Sequence, residues 1–244
     1  ELVAAVPRSW RRARVSRTDL HQFLFEPDDI VVAFGQDGLV ANLAKYLSGQ
    51  AVIGINPEPE RFDGVLVPHR VAAAERLLLA TAAADVPIEL RTMVQVQLDD
   101  GQRLCALNEL FVGHRSHQSA RYDIEHGGAH ESQSSSGMVI TTGTGATGWA
   151  RLIFRNRATQ VSLPSPCERR VSFFVREAFE SVATGARVTD GSLAASQQLV
   201  VTSRMNVDGV IFGDGIEADR LSFCWGCRAT IALADEQLRL VANQ

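Results

Sequence analysis

Long apolar runs are missing from this chain. No stretch approaches the ~20 apolar residues that a membrane-spanning helix needs, so no helical span is expected. Cysteine is scarce. Cys105, Cys167, Cys224 and Cys227 are too few and too scattered for a disulfide framework. A reducing compartment, the cytoplasm by default, is the expectation. Charge of one sign is missing as well. The 24 Lys and Arg against 28 Asp and Glu leave a formal net charge of −4, which argues against bulk nucleic-acid or membrane-surface binding. No internal repeat and no signal-peptide pattern are visible, although the chain starts at Glu1 and not at Met.

What is present suits a soluble globular protein. The 244 residues suffice for a sizeable core in one or two domains. Basic residues cluster at Arg8, Arg11, Arg12, Arg14 and Arg17, with Trp10 nearby. Such a run either touches phosphates or is a solvated helix face or linker, and the second reading is the commoner one.

The most informative features are two glycine-rich turns, Gly35-Gln36-Asp37-Gly38 and Thr141-Thr142-Gly143-Thr144-Gly145. The first follows the apolar run Ile30–Phe34 and precedes Leu39–Leu47, whose apolar residues recur at helical spacing. That order predicts strand, tight turn, helix. A turn of this kind presents backbone N–H groups where an anion is favoured. It also carries a carboxylate, Asp37, which suits a hydroxyl or a metal held beside a phosphate. The second turn adds three threonine hydroxyls after the apolar strand Met138–Ile140. Together they point to a phosphorylated, hydroxyl-rich ligand.

The first part of the chain alternates strand and helix. Ala51–Ile55 suits a buried strand, and Val71–Ala84 is rich in good helix formers. In α/β folds ligands sit at the carboxyl ends of parallel strands, where Asp37 and Asn56 fall. From about Pro87 the pattern changes. Ile88–Leu98 alternates, Asp99-Asp100-Gly101 signals a hairpin, and Arg103–Val112 reads as the returning strand. Asp-Gly pairs recur at 190–191, 208–209 and 214–215, between short apolar runs such as Leu199–Val201, Val210–Phe212 and Thr230–Leu233. An antiparallel β domain is expected. The polar stretch Glu125–Ser136 reads as a mobile loop and a candidate lid, and Asn156–Arg170 as a second irregular segment.

One glycine turn is a weak signal; an ordered set is stronger. Gly54-Ile55-Asn56 follows the first turn at βαβ spacing. Next come Asn108-Glu109 and the run Ser136 to Trp149. In this the chain resembles the NAD kinase family, with its Gly-Gly-Asp-Gly-Thr turn, Gly-Ile-Asn strand end, Asn-Glu pair, and Asp-Gly strand leading into Ser-Thr-Pro-Thr-Gly-Ser-Thr-Ala-Tyr. Asp208-Gly209 is similar to a further Asp-Gly of that family. The resemblance runs from about Asp29 to Leu233.

The resemblance implies a Rossmann-like α/β N-terminal domain at 1–86 and an antiparallel, β-rich dinucleotide-binding domain at 87–233, with the tail at about 234–244 packing back on the first. It implies phosphoryl transfer from ATP or polyphosphate, with Mg²⁺, to the adenosine-ribose 2′-hydroxyl of NAD. Asp37 would orient or deprotonate that hydroxyl. Gly35, Gln36 and Gly38 would meet the phosphate donor. Gly38, Asn56, Asn108, Glu109, Thr142, Thr144, Gly145, Thr147 and Trp149 would line the substrate, with amide and carboxylate offering donors and acceptors to hydroxyls. Trp149 is equally readable as an ordinary packed aromatic. The family commonly forms homodimers or homotetramers. Departures fall at the donor side. Gln36 replaces a glycine and Leu39 a threonine, so a side chain stands where phosphates would approach and one hydroxyl is lost. Ser136 stands at an Asp position and Gly143 at a proline. Two alternatives follow: a kinase of the same fold acting on another hydroxyl substrate (sugar, nucleoside or lipid), and a non-catalytic dinucleotide-binding protein.

Weaker candidates have ordinary explanations. Cys224-Trp225-Gly226-Cys227 lacks the second pair of a structural zinc site. Placed among predicted strands, its cysteines point to opposite faces as two packed thiols. His114 and His117 have helical spacing but no accompanying carboxylates, so they read as loop or strand-end residues. His126 and His130 fall in the polar stretch, and no metal ligand set is expected.

Overall fold

The structure is a computed structural model that describes residues 2–155, 159 and 161–243. It divides into two compact units, one comprising the chain up to Arg91 with the part from Glu236, the other Thr92–Asp235.

In the first unit a short helix α1 (Leu2–Ala5) precedes β1 (Ile30–Phe34), α2 (Asp37–Ala44), β2 (Ala51–Asn56), β3 (His69–Arg70) and α3 (Ala74–Ala82). The β-branched run Ile30-Val31-Val32 makes β1, and β2 pairs parallel with β1 and β3. The last strand of the chain, at Arg239 and Leu240, pairs parallel with the start of β2. Helix α3 buries Ala74, Leu77 and Leu78, the spacing of one helical face, against Ile53, Ile55 and Val241. Helix α2 buries Val40, Ala41, Leu43 and Ala44. It opens at Asp37, two residues earlier than the apolar pattern suggested, because the turn residues Asp37 and Gly38 already take helical geometry.

The second unit is all antiparallel in its strand pairs apart from short helical turns. Its strands are β4 (Ile88–Leu98), β5 (Arg103–Ala106), β6 (Glu109–His114), β7 (Ala120–His126), β8 (Ala129–Ser135), β9 (Met138–Thr141), β10 (Arg170–Val175), β11 (Asp190–Ala194), β12 (Leu199–Ser203), β13 (Gly209–Gly213), β14 (Ile216–Ser222) and β15 (Arg228–Val241). β4 and β15 each continue from one unit into the other. β7 lies between β8 and β12, and β12 pairs with β15. A second sheet runs β11-β10-β9-β6-β13-β14. Val94, Val96, Tyr122, Ile124 and Ile231 from the first set meet Leu110, Ile140, Phe173 and Ile211 from the second in one buried core. β7 and β12 alternate as sandwich strands do, whereas β6, β9 and β10 are buried on both faces, with Phe111, Val139 and Val210 forming a further apolar cluster.

Four expectations are corrected. Glu125–Ser136 is no loop; it lies in the hairpin β7–β8, whose register runs from Ala120↔Ser135 to His126↔Ala129. Its inward residues Glu131, Gln133 and Ser135 are polar but buried, so the pattern reads as loop while the strand is real. Arg103–Val112 is two strands, because the chain leaves β4 at Ala106 and joins β9 from Glu109. Asp190-Gly191 pairs within β11 and is not a turn. Cys224–Cys227 forms a turn closed by the Cys227 N–H donating to the Cys224 carbonyl (3.1 Å), so its residues do not alternate as in a strand. In the expected irregular segment, residues 156–158 and 160 lie outside the described residues, and 161–169 have no helix or strand.

Candidate functional site

In the first unit the turn after β1 and the end of β2 share one edge, since Phe34 pairs with Ile55 and the Gly35 N–H donates to the Ile55 carbonyl (3.1 Å). Asp37 is the first residue of α2. Its two carboxylate oxygens each accept a backbone N–H, from Leu66 (2.8 Å) and Val65 (3.1 Å). Asn56 holds the same loop: its amide donates to the Phe62 carbonyl (2.8 Å), and its oxygen accepts the Glu58 N–H (3.0 Å). The loop reaches Asp37 because β2 has Gly54. A Cβ there would stand 2.0 Å from the Leu66 carbonyl oxygen. Gln36 caps α2 with extended backbone and no side-chain cap bond, and its side chain is exposed. A Cβ on Gly38 would meet nothing within 4 Å, so that face of the turn is open.

In the second unit the chain breaks between β5 and β6 at Leu107 and Asn108. The Thr142 N–H donates to the Asn108 carbonyl (2.9 Å) and the Thr142 hydroxyl to the Leu107 carbonyl (2.6 Å). The same hydroxyl accepts the N–H groups of Thr144 (3.1 Å) and Gly145 (3.3 Å). Thr142 therefore builds the turn. Gly145 lets the turn close on the break: a Cβ there would lie 2.3 Å from the Asn108 carbonyl oxygen. The Thr147 hydroxyl donates to the Thr144 carbonyl (3.2 Å). Trp149 stacks on Phe111, ring centroids 5.8 Å apart, and the Arg176 guanidinium lies 5.0 Å from the Trp149 ring centroid. Its aromatic body is held by packing.

Three side chains of this half keep unmet polar capacity. Thr144 is buried, and its hydroxyl has no hydrogen-bond partner among the described residues. The side chains of Asn108 and Glu109 likewise make no hydrogen bond among them, although their backbones are tied. Burial, and secondly the nearby charge of Asp214, push the Glu109 carboxyl up to about 7. Asp214 was visible in the sequence only as a turn signal. Its carboxylate accepts the N–H groups of Leu107 (3.0 Å) and Asn108 (2.6 Å).

The predicted residues thus form two sets, one in each unit: Gly35 to Gly38 with Asn56, and Asn108, Glu109, Thr142, Thr144, Gly145, Thr147 with Trp149.

No family model matches the chain. Over 141 residues it is 32% identical to an NAD kinase of Thiobacillus denitrificans, covering 54% of this chain and 47% of that one. It matches a crystal structure of yeast NADH kinase complexed with NADH at a TM-score of 0.67 and 15% identity, covering 88% of this chain and 62% of that one. The chain has the fold of that NADH kinase. An α/β unit followed by an antiparallel β unit is what that fold requires. The chain spans about half the length of the curated NAD kinase that it matches.

The remaining sequence candidates fall outside this site. Arg8, Arg11, Arg12, Arg14 and Arg17 are exposed, and Trp10 packs in the α/β core. His114 ends β6 and His117 lies beyond it, not on a helix. Among the described residues no three His, Cys, Asp or Glu side chains group to hold a metal ion. Magnesium commonly binds through one or two carboxylates together with substrate phosphates. Asp37 is the carboxylate of the turn after β1, and each of its oxygens accepts one backbone N–H. No helix among the described residues is long and apolar enough to cross a membrane.

Proposed function

We propose that this chain binds NAD or NADH and transfers a phosphoryl group to the 2′-hydroxyl of its adenosine ribose. The observation that carries the reading is the set Asn108, Glu109 and Thr144, whose backbones are fixed and whose polar side-chain groups find no hydrogen-bond partner among the described residues. A hydroxyl-rich ligand satisfies such groups: the amide donates and accepts, the ionised carboxylate accepts ribose hydroxyls, and the threonine does either. The NAD kinase relative and the NADH-bound fold relative favour a dinucleotide as that ligand.

Asp37 is the proposed base. Two N–H bonds fix its carboxylate, and each oxygen retains a second lone pair to take a hydroxyl proton. As the 2′-oxygen attacks the terminal phosphorus, its proton passes to Asp37 and the bond to the leaving phosphate breaks. Such transfers depend mainly on positioning and charge neutralisation. Mg²⁺, arriving with the donor phosphates, would supply charge neutralisation. ATP and polyphosphate are both compatible with the open face at Gly38.

The second reading is a dinucleotide-binding protein without kinase activity, or a kinase for another hydroxyl substrate. Gln36 favours it, because an exposed side chain stands in the turn where the family has glycine. The test is NADP or NADPH formation from NAD or NADH with Mg²⁺ and ATP or polyphosphate, with Asp37→Asn as control. Turnover that falls at least ~100-fold in Asp37→Asn, with NAD still bound, is expected for a lost general base. Binding without turnover in the unaltered protein selects the second reading.

A further inference from the structure

Asp214 occupies a position where a turn alone does not need a carboxylate. Gly213 pairs with Ile216, so Asp214 and Gly215 form the two-residue connection between β13 and β14. Their φ values of 53° and 69° are those of a type I′ turn, which Asn or Gly serves as well as Asp. The carboxylate is used elsewhere. It accepts the backbone N–H groups of Leu107 (3.0 Å) and Asn108 (2.6 Å), while the Asp214 N–H donates to the Glu109 carbonyl (2.9 Å). Three consecutive residues at the β5–β6 break are thereby bound to one residue more than a hundred positions away. The Leu107 and Asn108 N–H groups lie between the two ladders and depend on this cap.

We infer that Asp214 is the positioning residue of the Asn108–Glu109 pair, holding its backbone so that both side chains face the dinucleotide. This rests on the dinucleotide reading given above. Thr142 takes the carbonyls of the same segment and Asp214 its N–H groups, so the pair is clamped from both sides. Asp214 also bears on the chemistry of Glu109. On β9 the residue opposite Glu109 is the uncharged Thr141, and on the β13 side it is Asp214. A negative charge there opposes ionisation of Glu109, in addition to the larger effect of burial.

The test compares the unaltered protein with Asp214→Asn, which keeps the turn and one acceptor oxygen but removes the charge. NAD binding is followed by calorimetry from pH 5.5 to 8.5, and the Glu109 carboxyl by ¹³C NMR without ligand. In the unaltered protein affinity rises as the pH passes about 7, where Glu109 ionises. In the variant the Glu109 midpoint moves down by roughly one unit, and affinity at pH 8 falls roughly tenfold as the clamp loosens. A residue that served only the turn moves neither. An unmoved Glu109 midpoint with unchanged affinity overturns the inference. If the unaltered protein does not bind NAD, the dinucleotide reading and the ligand role of Asp214 both fail, and the ligand-free titration separately decides its coupling to Glu109. Asp214→Gly, in a turn that glycine suits, carries the same comparison if Asp214→Asn does not fold.

Discussion

Glu109 and Asp37 show how differently two carboxylates are used in one chain. Asp37 is satisfied by two backbone N–H groups. Glu109 has none among the described residues, and burial with a neighbouring carboxylate raises it from 4.5 to about 7. A carboxyl whose folded value lies above its unfolded value holds its proton more tightly when folded. The stability tied to that proton is complete below pH 4.5 and is lost as the pH rises through about 7. Glu109→Gln removes the loss. The variant should unfold at higher temperature than the parent above pH 7, by on the order of 2 kcal/mol, and match it near pH 4. Thermal melts at the two pH values check this; equal melting at both speaks against a raised Glu109. Glu109 and Asn108 were legible in the sequence as an ordered motif. The role of Asp214 was not, because its partners lie more than a hundred residues away and its local pattern is that of a turn.

At the scale of elements, the turn after β1 and the loop after β2 are one construction. Gly54 admits the Leu66 carbonyl, and the adjacent Leu66 N–H reaches Asp37. A side chain at Gly54 meets backbone, which cannot swing away. Gly54→Ala should cost about 2–3 kcal/mol, lower the melting temperature and release the bonds to Asp37. A variant with parental stability would show that the loop moves aside without penalty. Periodicity read β1, β2, β4 and β12 closely, since each is an apolar or alternating run between turn signals. It missed β8, where Glu131, Gln133 and Ser135 face inward. Glu131 is buried because it accepts the N–H groups of Arg187 (3.0 Å) and Val188 (2.9 Å), partners that no local pattern announces.

At the scale of the whole molecule, the α/β unit depends on the last residues of the chain. Leu238, Leu240 and Val241 are buried, the Ala242 N–H donates to the Pro87 carbonyl (2.9 Å), and the His69 ring bonds the Val241 carbonyl (3.1 Å). Three buried apolar side chains are worth roughly 5–9 kcal/mol, comparable to the total stability of a domain. A chain ended at Asp235 should therefore lose hydrogen-exchange protection in β1 and β2. Protection in β6 and β9, which lie in the other unit, should persist. Unchanged protection in β2 would remove the terminal strand from the account.

The sequence by itself determined the alternation of strand and helix before Pro87, the change to β structure after it, and the order of the glycine turns and the Asn-Glu pair. These are local properties, written in periodicity, turn residues and spacing. Only the tertiary structure decided which polar groups find partners within the fold. Hydrogen-bond satisfaction is settled by partners distant in the chain. Thr142 and Thr144 look alike in sequence, yet the hydroxyl of one closes a turn on Leu107 while that of the other is buried with no partner among the described residues.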